Sequence, residues 1–276
     1  MAVLFLSRAT RSGVQALTDC LHERTGLEVI SREDLVRLVG RHGDWATSVV
    51  AEISHATSQY DRFSRIRRPY IVLMRQALLE RIHGDNVVYH GISGHLLLPR
   101  LGHFVRVRIC EPLRTQIAMT REELRCDEEH AKESLRETES LEVRWARFMY
   151  GRDVRDPTLY DLNLNLGHLT MEVACGILEH LLWERELQSS PEARAEVERL
   201  LTMANVEAAL VTDERTRSLE VDCRIEQGKT RLDGPYLEGD LREVVMEVAR
   251  RAAPPEPIAY EPGYAAVQWV EDRACD

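Results

Sequence analysis

Residues 2–13 read AVLFLSRATRSG, an apolar run that leads into a short polar loop, and this stretch decides the class of fold that the sequence predicts. Beyond it, Val14, Leu17 and Leu21 recur at helical spacing, and Gly26 marks the expected end of the helix. Strand, short loop and helix is the arrangement in which a phosphate-binding loop presents backbone N–H groups and a helix N-terminus to a phosphate. An ordinary strand-to-helix turn has the same pattern, so both interpretations stay open.

The loop lacks the lysine that a phosphate-binding loop normally supplies. Only two of the 36 basic residues of the chain are lysines, Lys132 and Lys229. A complete loop also has a second glycine for close backbone approach and a Ser or Thr for magnesium after the lysine, whereas here Val14 and Gln15 follow Gly13. The sequence therefore predicts a degenerate phosphate-binding loop in an otherwise suitable context.

Composition describes a globular protein with an acidic surface. The chain has 276 residues, a formal net charge of −10 and a hydrophobic content of 44%. This charge disfavours a general role on nucleic acid or on an anionic membrane. No run approaches the ~20 apolar residues of a membrane span, so no membrane-spanning segment is expected.

The six cysteines are scattered along the chain, without a Cys-x-x-Cys pair or a His-Cys cluster. This spacing argues against a zinc site and against a disulfide framework, and no metal ligand is assigned. Cys20, Cys110, Cys175 and Cys223 lie in apolar segments, where we expect reduced thiols in a core. The cytoplasm is the expected compartment.

Strand-like and helix-like segments alternate to about residue 186, which is typical of an α/β layer fold. The pattern changes at residues 188–191, and an α-β-β-α set follows, with Gln227-Gly228 as the turn of a hairpin. The predicted fold is a P-loop kinase-like parallel sheet flanked by helices, with a smaller C-terminal α+β module. The expected domains are residues 1–187 and 192–255, followed by a tail over 256–276.

Several separated segments together resemble the cytidylate kinase-like branch of the P-loop nucleoside monophosphate kinases. The resemblance spans roughly residues 3–182 and rests on the order and spacing of residues 6–8 with 12–13, 31–35, 89–91 with Gly94, 105–109 and 145–165. The last segment is the most specific, with Trp145, Tyr150-Gly151, Asp156-Pro157 and Asn165 in place. Residues 192–252 look like a BON domain, a small α/β module associated with binding at membranes or to other ligands.

The resemblance implies ATP-dependent phosphoryl transfer to CMP or another nucleoside monophosphate, with ATP and Mg2+ bound at the carboxyl ends of the strands. Such transfer depends on positioning and charge neutralisation. The implied donor-phosphate residues are Ser7, Arg8, Arg11, Ser12 and Gly13. The implied acceptor-phosphate residues are Arg32 and Arg68, and the implied catalytic lid arginines are Arg136, Arg144 and Arg147.

The chain departs from the family in ways that bear on turnover. Arg11 and Val14 stand at positions that are glycines in relatives, and Glu142 stands where an arginine is expected. The alternative function is therefore a catalytically inactive pseudokinase scaffold or regulator, whose BON-like module binds a ligand, a partner or a membrane. Arg106 and Arg108 alternate on one strand face, which is either a polar face toward solvent or the second domain, or an anion site.

Overall fold

The structure is a computed structural model that describes residues 2–8, 11–55, 64–253 and 257–263, and the side chains at positions 8, 11, 12, 54, 55 and 64 lie outside this description. The strands are β1 (Val3–Arg8), β2 (Glu28–Ser31), β3 (Val87–His90), β4 (Phe104–Cys110), β5 (Leu162–Asn165), β6 (Asp222–Glu226), β7 (Lys229–Gly234) and β8 (Ile258–Pro262). The helices are α1 (Arg11–Thr25), α2 (Arg32–Val39), α3 (Asp44–His55), α4 (Ser64–Ile82), α5 (Leu113–Leu124), α6 (Glu128–Tyr150), α7 (Met171–Trp183), α8 (Pro191–Thr212) and α9 (Asp240–Ala252).

Five of these strands form one sheet, in the order β2-β3-β1-β4-β5. The strand that the opening residues predict is at its centre, where Leu4 pairs with Val88 of β3 on one side and with Val105 of β4 on the other. All four pairings are parallel. The carboxyl ends of the strands therefore share one edge, where α/β proteins place their ligands. The predicted fold class, a kinase-like parallel sheet with a smaller C-terminal module, is confirmed.

One face of this sheet packs against α1 and α7. Leu4 and Leu6 share that face because strand side chains alternate, and both are fully buried in a cluster with Leu17 and Leu21 of α1 and Leu178 of α7. Burying a Leu or Val side chain contributes about 1.5–3 kcal/mol. The same apolar spacing that predicts α1 therefore also fixes the helix against the sheet.

Cys20 of α1 and Cys175 of α7 form a disulfide across 155 residues of sequence. The prediction of reduced core thiols is therefore wrong for these two cysteines, whereas Cys110, Cys126 and Cys223 are free. The pairing has no local sequence signature, because it depends on two helices that lie next to each other on the same sheet face.

The chain folds into two compact units, and both are discontinuous in sequence. One contains the residues up to 34 together with 84–190, and the other contains 35–83 together with the residues from 191 onward. Residues 35–83, which the sequence predicts in the first domain, belong to the second unit, where α4 packs on α8. Residues 72–79 of α4 are buried without interruption, and a continuously buried helix carries no pattern that identifies its partner.

A buried ion pair joins the two long helices of the second unit. Arg75 of α4 and Glu207 of α8 are 6% and 1% exposed, and Arg75 Nη1 lies 3.4 Å from Glu207 Oε2. Glu207 Oε1 also accepts a hydrogen bond of 3.1 Å from the backbone N–H of Cys223. This carboxylate therefore holds both α4 and the hairpin against α8.

The second unit also carries a three-stranded sheet in the order β6-β7-β8. The predicted hairpin between β6 and β7 is present, and Gln227 and Gly228 both have positive φ, 52° and 70°, as a two-residue type I′ turn requires. The interpretation of residues 256–276 as a tail missed β8, which pairs in parallel with β7. Residues 264–276 of that predicted tail lie outside the described residues.

Across the helices that the structure describes, none combines the length and the apolar character that crossing a membrane requires.

Candidate functional site

The carboxyl edge of the parallel sheet gathers the segments from which the sequence predicts a site. β1 ends at Arg8 and α1 begins at Arg11, while β4 ends at Cys110 and β5 at Asn165. The N-terminus of α1 therefore lies at this edge, where its unpaired N–H groups and its dipole favour an anion. The first turn of α1 contains no acidic residue.

The predicted donor-phosphate residues are described only in part. Arg8 is the last residue of β1, and Arg11 and Ser12 are the first residues of α1. Their side chains, and residues 9–10 between them, lie outside the described part of the chain. Ser7 and Gly13 are described, and both are buried.

Gly13 makes the closest approach at this edge, and its neighbour is a carboxylate. A Cβ built on Gly13 would overlap Oε1 of Glu111 and would lie 3.0 Å from its Cδ and 3.6 Å from Leu166 Cδ1. A side chain at position 13 would therefore require the Glu111 carboxylate to move. Glu111 follows directly after β4, and sequence reasoning missed it because a single glutamate after a strand forms no motif.

Ser7 takes part in a buried hydrogen-bonded group on the other face of β1. Its Oγ lies 3.4 Å from the hydroxyl of Tyr160, which donates to the carbonyl of Val154 at 2.8 Å. The Arg108 guanidinium stands 5.9 Å from the centre of the Tyr160 ring and donates to the carbonyl of Arg155 at 2.9 Å. Burial raises the pKa of Tyr160 above its ordinary value, so the hydroxyl stays neutral and orders the loop that follows α6.

Two buried groups lie beside this tyrosine. His95 is 2% exposed, and its ring centre is 4.8 Å from that of Tyr160. Burial, with a smaller effect from Arg106, lowers the pKa of His95 to about 3, so the imidazole is neutral at physiological pH. Arg106 is 8% exposed and donates to the carbonyl of Leu98 at 3.2 Å. The sequence leaves Arg106 and Arg108 as either a polar strand face or an anion site, and in the structure the Arg106 side chain is buried.

The three predicted lid arginines all lie on α6 and are exposed. Arg136 Nη1 is 3.7 Å from a carboxylate oxygen of Glu133. Arg144 donates weakly, at 3.4 Å, to the carbonyl of Ser140. Contacts of this kind on a solvated helix face are worth little, so both side chains can reorient toward a ligand at low cost.

Arg147 is held more firmly than the other two. It donates to Asp153 at 2.7 Å, and Arg155 donates to the same carboxylate oxygen at 2.8 Å. Hydrogen bonds from the side chain and the backbone of Arg155, together with Arg147, hold the pKa of Asp153 well below its ordinary range. Asp153 thus binds two guanidinium groups, one from α6 and one from the segment that follows it, and spacing alone does not single out Arg155.

The two predicted acceptor-phosphate arginines belong to different units. Arg32 is the first residue of α2 and is half-buried. Arg68 of α4 donates to the backbone carbonyl of Val221 and to the carboxylate of Asp222 at 3.2 Å. Arg68 therefore anchors the start of β6 within the second unit.

Among the residues that the structure describes, no group of three or more histidine, cysteine, aspartate or glutamate side chains is placed to hold a metal ion.

Comparison with known proteins places the parallel sheet in a family. The sequence pattern of the cytidylate kinase-like family matches residues 3–168. A solved structure of an uncharacterised protein from Eubacterium ventriosum ATCC 27560 has a TM-score of 0.50 at 14% identity, covering 67% of this chain and 100% of that one. The dephospho-CoA kinase from Campylobacter jejuni has a TM-score of 0.36 at 9% identity, covering 64% and 95%. No curated protein matches the sequence. The family match covers more than half of the chain and includes all five strands of the parallel sheet.

Proposed function

The chain belongs to the cytidylate kinase-like family, and on that premise we propose that it is a nucleotide-binding protein of the cytidylate kinase type. The observation that carries the proposal is the unit β1–loop–α1 at the centre of the parallel sheet, with Gly13 in the first turn of α1. This unit aims a helix N-terminus at the edge where parallel sheets bind ligands.

The proposed reaction is ATP + CMP → ADP + CDP. The γ-phosphoryl group leaves the β-phosphate oxygen of ATP and is accepted by a phosphate oxygen of CMP. The donor phosphates would contact the backbone near Gly13, the side chains of Arg8 and Arg11, and the hydroxyl groups of Ser7 and Ser12. Arg136, Arg144 and Arg147 on α6 would neutralise the charge that develops in transfer. Arg32 remains a proposed acceptor contact, whereas the guanidinium of Arg68 is bound to Asp222 within the second unit.

Magnesium would arrive with ATP in this proposal. Oxygen ligands from the phosphates and from water, with one or two protein oxygens, are its usual shell in such sites. The ion supplies charge neutralisation between the phosphates, and the side chains of this protein orient the nucleotide around it.

One observation favours a second candidate, the catalytically inactive pseudokinase scaffold. A carboxylate of the chain itself lies against Gly13, and Arg147 is already paired with Asp153. In that case the ligand-binding role falls to the C-terminal module, for which a BON-like character is proposed from its order α8, β6, β7, α9, β8.

A turnover assay separates the two candidates. We expect the full chain with Mg-ATP and CMP to form ADP and CDP in equal amounts, at a rate below the ~1–100 s−1 of efficient kinases, because the loop lacks its lysine. Mass spectrometry follows both products. Arg147→Ala should lower the rate by roughly 10²–10³, the usual effect of removing one charge-stabilising group.

The matched control is Arg121→Ala, which removes an exposed arginine from α5 and should leave the rate unchanged. Absence of CDP and of every other nucleoside diphosphate, after long incubation with each monophosphate, would reject the kinase and favour the scaffold.

A further inference from the structure

Glu111 is held at the carboxyl edge by its backbone. Cys110, the residue before it, pairs with Asn165 of β5 and accepts a hydrogen bond of 2.9 Å from the N–H of Leu166. The carbonyl of Glu111 itself accepts a hydrogen bond of 2.8 Å from the side chain of Gln116. Because α5 begins two residues later, the backbone at this position is fixed from both sides.

That side chain is directed at the first turn of α1. Oε1 of Glu111 would overlap a Cβ on Gly13, and Leu166 Cδ1 lies 3.6 Å from the same position. The first turn of α1 supplies no Asp or Glu of its own, so the negative charge beside the positive end of this helix comes from the residue that follows β4. A carboxylate there is stabilised for the same reason that a phosphate would be.

We propose that Glu111 determines the affinity and the specificity of the nucleotide site, because its carboxylate takes the position of a donor phosphate group against α1. The inference rests on the proposed function. A phosphate and this carboxylate would be like charges at contact distance, which disfavours binding. ATP therefore binds only when the Glu111 side chain has moved away, and the wild-type site discriminates against ligands in proportion to the phosphate charge placed beside Gly13.

Titration calorimetry tests this with the full chain, using ATP, ADP and adenosine as probes, with and without magnesium. Glu111→Gln keeps the size of the side chain and removes its charge. We expect it to raise the affinity for ATP by roughly 10- to 100-fold, to raise the affinity for ADP by less, and to leave the affinity for adenosine unchanged.

Glu122→Gln is the matched control, because Glu122 is an exposed residue of α5 whose substitution makes the same change in net charge. It should bind all three ligands as the wild type does. Thermal unfolding of both variants without ligand checks that the fold is retained, and Glu111→Ala provides a second variant should Gln keep a hydrogen bond to α1.

Each outcome separates this inference from the proposed function. If wild type binds ATP and neither Glu111 variant binds it more tightly, the inference fails while the proposed function stands. If both variants bind Mg-ATP more weakly, Glu111 is a contact for magnesium, which also overturns the inference. If wild type and variants all fail to bind any of the three ligands, both the inference and the proposed function are rejected.

Discussion

Arg75→Ala should reduce the free energy of unfolding of the second unit by about 3–5 kcal/mol, the usual cost of leaving one partner of a buried ion pair without the other. Glu207 would keep its hydrogen bond from the Cys223 N–H but lose the guanidinium 3.4 Å away. Denaturant unfolding followed by circular dichroism measures the difference. Arg65→Ala, at an exposed position of the same helix, should change stability by less than about 0.5 kcal/mol.

The free energy of unfolding that Arg75→Ala loses should also depend on pH. Burial raises the pKa of Glu207, while Arg75 and then Arg68 act in the opposite direction. Removing Arg75 raises that pKa further, so the folded state favours the protonated carboxyl. A group with a raised folded-state pKa contributes stability below its unfolded pKa of about 4.3 and loses it as pH rises through the folded-state value. The deficit of Arg75→Ala should therefore be smallest in mild acid and grow toward pH 8.

A double variant provides the decisive control for this ion pair. In Arg75→Met/Glu207→Gln, Met replaces the volume of the arginine and Gln still accepts from the Cys223 N–H. Replacing a buried ion pair by groups of similar volume is often neutral, so the double variant should be more stable than Arg75→Ala. A single variant that loses less than about 1 kcal/mol at every pH would contradict the role given to the pair.

Breaking the disulfide between Cys20 and Cys175 should cause the second large loss of stability. Removal of a native disulfide typically costs about 2–5 kcal/mol, and a long closed loop places the effect toward the upper end; this loop spans 155 residues. Cys175 is fully buried, so Cys→Ala is preferable to Cys→Ser at that position. We expect Cys20→Ala/Cys175→Ala to unfold at lower denaturant concentration than the oxidised wild type.

Treatment with a reductant distinguishes the stability contributed by the S–S bond from that contributed by the packing of the two side chains. A phosphine reductant should lower the denaturant concentration at which the wild type and Cys110→Ala unfold. It should not change the unfolding of the double variant. Peptide mapping under denaturing, non-reducing conditions should find Cys20 and Cys175 protected from alkylation. Full alkylation of both in the untreated protein would show that the bond is absent.

The sequence predicted those parts of the fold that depend on local pattern. The apolar run before Ser7 predicted a buried strand, and β1 is the central strand of the sheet. Gln227-Gly228 predicted a hairpin, since two adjacent positive-φ residues are what its turn demands. Each of these depends on residues within a few positions of one another.

The parts that the sequence did not predict depend on contacts between distant segments. β8 is a five-residue strand that follows one proline and ends on another, and its pairing with β7 is parallel. The partner of α4 and the pairing of Cys20 with Cys175 likewise follow only from the tertiary arrangement.

In the candidate site, too, local pattern predicts one part and contacts between distant segments determine the other. The motif predicts a functional role for Gly13, and the structure places the carboxylate of Glu111 against it. Glu111 is 98 residues further along the chain than Gly13, and no motif links the two. Sequence pattern therefore located the edge of the sheet, and only the fold identified the carboxylate that lies there.

The most direct test of the central claim is hydrogen–deuterium exchange of the full chain with and without saturating Mg-ATP and CMP. A nucleotide held at the β1–α1 edge should slow exchange in peptides covering residues 3–25 and 110–116, and should leave the β6–β7 hairpin unchanged. Slowed exchange confined to residues 191–263, or no change anywhere in the chain, would contradict the claim that this protein binds a nucleotide at its parallel sheet.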